Sequence, residues 1–318
     1  MASEARPARW QTILAFGVIY IVWGSTYLAI RVGVEEVPPL LLAAMRFSVA
    51  GFAIYAWVIA RGEPSPTRRE WRSAAMLALV FFLLDYGLVF WAEQRVPSGV
   101  TAVMLATIPM FMAFSEIIFL GTQRLTARLI VALLIGIGGV AVLMTNSLNL
   151  GGAPIDKLGA LALIISPITW SIASAFSRKL PLPKSKLMSS GAQMLLGGIF
   201  LTIAAGAFGE FHDFHPAAVS GRAWFALAYL IVAGSIIGFT AYVWLLHHES
   251  PTKVGTYGYV NPIVAVILGH FLGGEALTAR TVVGALFVLV SVVIITSAPA
   301  KKAAVTAELE TIPENVGT

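Results

Sequence analysis

Apolar runs as long as a bilayer is thick recur along the whole chain, each broken from the next by a short polar stretch. They cover residues 11–30, 38–60, 73–94, 98–120, 126–146, 158–178, 187–208, 222–246, 252–273 and 278–297. A helix rises about 1.5 Å per residue, so roughly 20 apolar residues cross the hydrocarbon core. Backbone groups in lipid must be paired within their own segment, which predicts that each run is a helix. No run alternates with a period of two, so a β-barrel is excluded. The polar breaks hold turn formers: Pro38 with Pro39, Pro64 and Pro66, Pro97, Gly151 with Gly152, Pro181 and Pro183, and Pro251. The pattern predicts an all-α membrane protein with ten transmembrane helices.

Composition agrees. Of 318 residues, 58% are hydrophobic and 12% charged, and the mean hydropathy is +0.84. Soluble domains carry about twice that share of charge. The net charge of +5 does not point to nucleic acid, because the basic residues form short clusters between apolar runs. One set of connections holds Arg6, Arg9, Arg61, Arg68, Arg69, Arg72, Arg124, Arg128, Arg178, Lys179, Lys184, Lys186, Lys253, Lys301 and Lys302. The opposite set holds Arg31, Arg95, Lys157, Arg222 and Arg280. The richer side is expected to be cytoplasmic, which puts both termini inside. There is no cysteine, so disulfides and thiolate chemistry are excluded. The first apolar run is too long for a signal-peptide core and reads as an uncleaved span.

The two halves resemble each other. Trp23 with Arg31 eight residues on is echoed by Trp170 with Arg178. Leu125-Thr126-Ala127-Arg128 recurs as Leu277-Thr278-Ala279-Arg280, Pro109 as Pro262, and Trp91 as Trp244. These pairs lie 147 to 153 residues apart. Five spans per half is an odd number, so the halves insert with opposite orientation, as in many secondary transporters. The expected organisation is a cytoplasmic N-terminus (1–10), a first repeat (11–146), an external linker (147–157), a second repeat (158–297) and a disordered cytoplasmic tail (298–318).

The segments Tyr20–Arg31, Pro38–Phe47, Val96–Pro109, Tyr259–Gly269 and Gly273–Thr278 together resemble the EamA family of the drug/metabolite transporter superfamily, in particular its YedA-like bacterial inner-membrane members. The resemblance spans roughly residues 10–298. It implies ten spans, cytoplasmic termini, export of metabolites or toxic small molecules, and a central cavity lined by the first, third, fourth, sixth, eighth and ninth spans. The family commonly places an acid after the fourth span, as Glu275 follows the ninth. Gln123 stands there instead.

Polar groups within spans need a reason. Arg46 in span two and Asp85 in span three lie at similar depth and could pair. Arg46 reads first as a structural clasp. Asp85 divides between structure and proton or substrate coupling. Glu116 reaches either an inner vestibule or the interface, His270 reads as a packing residue, and Glu275 as a helix cap. Trp71 and Trp224 fit interfacial belts. Trp23, Tyr27, Trp91, Trp170, Trp244, Tyr257 and Tyr259, with Ser25, Thr26, Ser171, Thr240 and Asn261, fit either helix packing or the wall of a cavity for an amphipathic compound. Pro109 and Pro262 predict helix kinks that release carbonyls.

Other motifs carry less. Gly136-Ile137-Gly138-Gly139 lies within a span and fits helix packing. His212 and His215 make at most half a metal site, so no metal or other cofactor is expected. No P-loop pattern is present, which leaves ATP out as a direct energy source. The sequence reads as a secondary exporter of amino-acid-like or amphipathic metabolites, or of drugs, across a bacterial inner membrane by alternating access. Proton antiport and facilitated efflux are its two energetic forms. Its partners are a small-molecule substrate, protons in the antiport form, and the lipid bilayer, and no oligomeric state follows. The alternatives are a membrane-embedded enzyme, for which Arg46 with Asp85 is the sole candidate set, and a non-transporting membrane receptor.

Overall fold

The computed structural model describes residues 7–96, 101, 104–143, 156–273 and 279–297. Among them there is no strand, and ten long helices follow one another: α1 Arg9–Val34, α2 Pro39–Ala60, α3 Arg68–Glu93, α4 Ile108–Leu120, α5 Ala127–Leu143, α6 Lys157–Ser177, α7 Lys186–Ala207, α8 Gly221–His248, α9 Tyr257–Gly273 and α10 Ala279–Thr296. The ten-helix expectation stands. Most of the expected linker 147–157 lies outside the described residues, as do Glu275, the tail 298–318 and the side chain of His270.

Caps, rather than the edge of the apolar run, decide where the helices begin. Glu70 Oε2 accepts the Thr67 amide at 2.7 Å and Thr67 Oγ1 accepts the Glu70 amide at 3.3 Å, a reciprocal box that starts α3 five residues before its apolar run. Asp156, Ser185 and Ser220 cap α6, α7 and α8 in the same sense. Spans four and nine differ from expectation. Span nine was expected to run over 252–273, with a kink at Pro262. Instead a single turn, Pro251–Val254, stops at Gly255 and Thr256 before α9 begins. Span four is interrupted at Ala106 and Thr107, so Pro109 sits in the first turn of α4 and not at a mid-helix kink. The two breaks share a feature. The hydroxyl of Thr107 donates to Met104 O, and that of Thr256 to Lys253 O, both at 2.6 Å. Each of these carbonyls also accepts the amide of the same threonine, at 3.1 and 3.2 Å, a tighter turn than the α-helical one.

α3 is π-helical over Leu79–Tyr86 and α8 over Leu230–Phe239. These segments occupy equivalent places in the two halves. Such widened turns gather at functional sites.

The packing is symmetric under exchange of the halves. α1 packs on α9 and α6 on α4; α3 packs on α6 and α8 on α1; α3 packs on α7 and α8 on α2. Two pairs are their own counterparts, α2 with α7 and α5 with α10. In α2 and α7, Ser48 meets Gly198, Gly51 meets Met194 and Leu195, and Tyr55 meets Gly191. One number rises as the other falls, so the two helices are antiparallel. In α5 and α10, Arg128 bonds Ile294 and Ser297, Ala132 meets Ser291, and Gly139 meets Gly284. These are antiparallel too. Equivalent helices running in opposite directions define an inverted repeat.

The outer face is apolar. Ile13, Leu14 and Ile21 of α1, Phe52 of α2, Leu134 of α5, Ile203 of α7, Phe225 of α8 and Val293 of α10 are all more than half exposed. Water would disfavour this surface, whereas lipid accommodates it.

Candidate functional site: an aromatic centre between the halves

Trp23 of α1 and Trp170 of α6, the repeat-related pair, meet edge to face with centroids 5.8 Å apart. Tyr242 of α8 lies 5.1 Å from Trp23 and 5.0 Å from Trp170. Tyr257 of α9 stands 4.9 Å from Trp23, and Phe81 of α3 stands 4.7 Å from Trp170. Phe82, Tyr86 and Phe239 extend the cluster. Edge-to-face rings at these distances attract beyond their burial alone. All are buried or nearly so, and five helices supply them. Trp23 Nε1 donates to Gly234 O at 3.0 Å, inside the π-helical part of α8. The Tyr242 hydroxyl pairs with Ser174 Oγ at 2.5 Å.

The predicted set divides. Trp23, Trp170 and Tyr257 come together here. Tyr27 stands beside Asn261. The Asn261 amide, turned with its nitrogen toward two carbonyls, donates to Tyr257 O at 3.1 Å and Tyr20 O at 3.2 Å. Ser25 is committed to Val22 O and the Tyr229 hydroxyl, and Ser171 to Pro167 O in its own helix. Thr240 Oγ1 is buried without a hydrogen bond. Trp91 and Trp244 are elsewhere. Trp91 lies under Arg95, 4.1 Å from its guanidinium carbon, and Trp244 stacks on His248 with centroids 4.2 Å apart. Both sit toward the ends of their helices. Pro262 is buried within α9.

Asp85, in the π-helical part of α3, accepts a short hydrogen bond from Ser166 Oγ of α6. Arg46 donates from Nε to Ser235 Oγ of α8 at 2.8 Å. The pairing of Arg46 with Asp85 open to the sequence is not made. The Tyr86 ring, 5.4 Å from the guanidinium carbon, follows Asp85 in the chain, and each charge is engaged by a serine of the second half.

Carboxylates tie the halves together at the helix ends. Glu116 is buried. Its Oε2 accepts the Thr252 amide at 2.9 Å and the Thr252 hydroxyl at 2.6 Å, while Oε1 accepts Thr122 Oγ1 at 2.9 Å. It therefore serves as a clamp on the Pro251–Val254 turn. At other ends Glu36 accepts the amide and hydroxyl of Ser220, at 2.6 and 2.7 Å. The Ser220 hydrogen bonds hold the Glu36 carboxyl below its usual value. Glu210 accepts the first amides of α2, from Leu40 and Leu41. Burial pushes its carboxyl up, and those amides oppose the rise.

Phe81, Phe82, Tyr86, Phe239 and Tyr242 were missed as site residues. Their one signal was an aromatic density in spans three and eight, with Tyr86 and Phe239 at repeat-equivalent positions.

Membrane-crossing helices in two inverted halves, with polar and aromatic groups buried where the halves meet, define a membrane transporter with a small-molecule substrate. The EamA-like transporter family matches residues 10–145 and 157–297, one match per half, and the chain belongs to that family. It is 39% identical over 266 residues to the uncharacterized inner membrane transporter YedA of Escherichia coli (strain K12), covering 83% of each chain. It is 23% identical over 297 residues to the uncharacterized transporter YvbV of Bacillus subtilis (strain 168), covering 92% of this chain and 94% of the relative. A crystal structure 20% identical in sequence superposes with a TM-score of 0.73, covering 91% of this chain and 97% of the other, and shares the fold.

Proposed function

We propose that the protein exports small amphipathic organic compounds, amino-acid-like metabolites or drugs, from the bacterial cytoplasm across the inner membrane by alternating access. The observation that carries this reading is the aromatic centre, assembled from both halves at the junction of two inverted repeats. Two antiparallel halves can rock into inward-open and outward-open forms of similar energy. In this conformation the rings close on one another; separating the halves bares their faces to a flat apolar solute. The fifteen basic residues on one set of connections favour cytoplasmic termini. A buried carboxylic acid held by a single hydroxyl, as Asp85 is by Ser166, suits a group that exchanges a proton during the cycle.

Mass spectrometry of the medium from overexpressing cells tests the reading. A metabolite enriched outside, relative to cells lacking the protein, is the expected result. Accumulation of that metabolite inside instead would reverse the direction. No change in any metabolite, together with unchanged resistance to a panel of toxic compounds, would overturn export.

A further inference from the structure

Among the described residues Arg46 is the largest fully buried side chain, 1% exposed, and it sits about a third of the way along α2. Its surroundings are two hydroxyls, those of Ser235 and Tyr86, and aromatic faces. Nε donates to Ser235 Oγ, and the guanidinium carbon lies 4.7 Å from the Phe47 ring centre and 5.4 Å from that of Tyr86. Nη1 is buried and makes no hydrogen bond. Among the described residues no carboxylate is ion-paired with it, and Asp85 is turned to Ser166. A guanidinium keeps its charge under all ordinary conditions and carries five N–H donors in a planar fork. Ring faces attract that charge but do not neutralise it. A buried cation with an idle donor is poised for an anion.

Its position says which anion. Gly234 joins the guanidinium to the aromatic centre. Its carbonyl takes Trp23 Nε1, while a side chain built on it would come within 2.8 Å of Arg46 Nη2. Tyr86 makes the same link from the other half, touching Arg46 on one side and Trp170, 5.8 Å away, on the other. A solute whose flat apolar body lies against Trp23 and Trp170 therefore has its end group at Arg46. We propose that Arg46 is the anion-binding group of the transport site and that the solutes carried are aromatic or similarly flat carboxylates, recognised without need of an amino group. This rests on the transporter reading above.

The test uses the full chain in liposomes and three probes with one ring system: indole-3-propionate, its neutral amide and cationic tryptamine. The native protein is expected to move the anion about tenfold faster than either other probe, the scale of one charge-assisted hydrogen bond. Arg46→Gln should bring the anion down to the rate of the amide, and Arg46→Lys should fall between. Equal rates for the three probes with native protein would overturn the proposal, even if Arg46→Gln fails to fold. So would an anion preference that survives in folded Arg46→Gln. If none of the three moves while ethidium does, the anion site falls and the exporter reading stands. If ethidium is not moved either, the exporter reading falls and this proposal with it.

Discussion

At Gly51 the backbones of α2 and α7 meet with no space for a side chain. A methyl group there would lie 2.2 Å from Leu195 N, 2.6 Å from Leu195 Cα and 2.7 Å from Met194 C. These are backbone atoms, so no rotamer change relieves the clash. Restoring ordinary contact at 3.4 Å separates the helices by about 1.2 Å. Overpacking of this kind costs about 3 kcal/mol at its upper end, and the better helix propensity of alanine returns about 1 kcal/mol. Gly51→Ala is therefore expected to lose about 2 kcal/mol net, a fall of several degrees in thermal midpoint. Gly138→Ala is the control, because nothing lies within 4 Å of that position. It should be neutral or slightly stabilising. Thermal unfolding of both variants in the same detergent, followed by tryptophan fluorescence, measures the difference. Equal midpoints for Gly51→Ala and native protein would refute the reasoning. The two helices would then not meet at Gly51, and the antiparallel register that supports the inverted repeat would be wrong.

Asp85→Asn should abolish uphill efflux and spare downhill exchange if Asp85 exchanges a proton; equal loss of both in a vesicle flux assay would assign it a structural role. Glu116→Ala leaves the Thr252 amide and hydroxyl buried without an acceptor and should destabilise by about 2 kcal/mol. Glu116→Gln, which keeps an acceptor, should recover most of that in the same unfolding assay. Glu36 titrates below its ordinary value of 4.5, held there by Ser220. Its contribution is present above that value and lost as pH falls through the lower folded-state value. The midpoint difference between native protein and Glu36→Ala should therefore be full at pH 7 and shrink on acidification, and a difference independent of pH would contradict the Ser220 contact.

The spans, their number and the doubling of the chain were legible from residues alone. The preference of a side chain for lipid over water is a property of that residue, so a run of apolar residues declares a membrane helix without knowledge of its neighbours. The repeat was legible because two copies of one sequence keep their landmarks, as Trp23 and Trp170 do, and an odd number of spans per copy forces inversion. Helix ends were only partly legible. Ser, Asp and Thr caps announce themselves locally, but the breaks at Thr107 and Thr256 do not, because hydroxyls turn back onto their own helix within unbroken helices too, as those of Thr26 and Ser174 do.

Partners were not legible, because partner choice is a matter of shape across the bundle and not of spacing along it. Arg46 and Asp85 share a depth and opposite charge, yet each faces a serine of the other half. Glu116 read as a residue near the interface, and it became a buried clamp because α4 ends where the Pro251–Val254 turn exposes unpaired amides. Trp91 and Trp244 match each other as closely in sequence as Trp23 and Trp170 do, yet only the latter pair meets. The reason is geometric. Both pairs stand at repeat-equivalent positions, but Trp23 and Trp170 lie where α1 and α6 face the centre, whereas Trp91 and Trp244 lie toward opposite ends of antiparallel helices. Depth and periodicity belong to each helix alone; which side chains touch is decided only when ten helices share one packing.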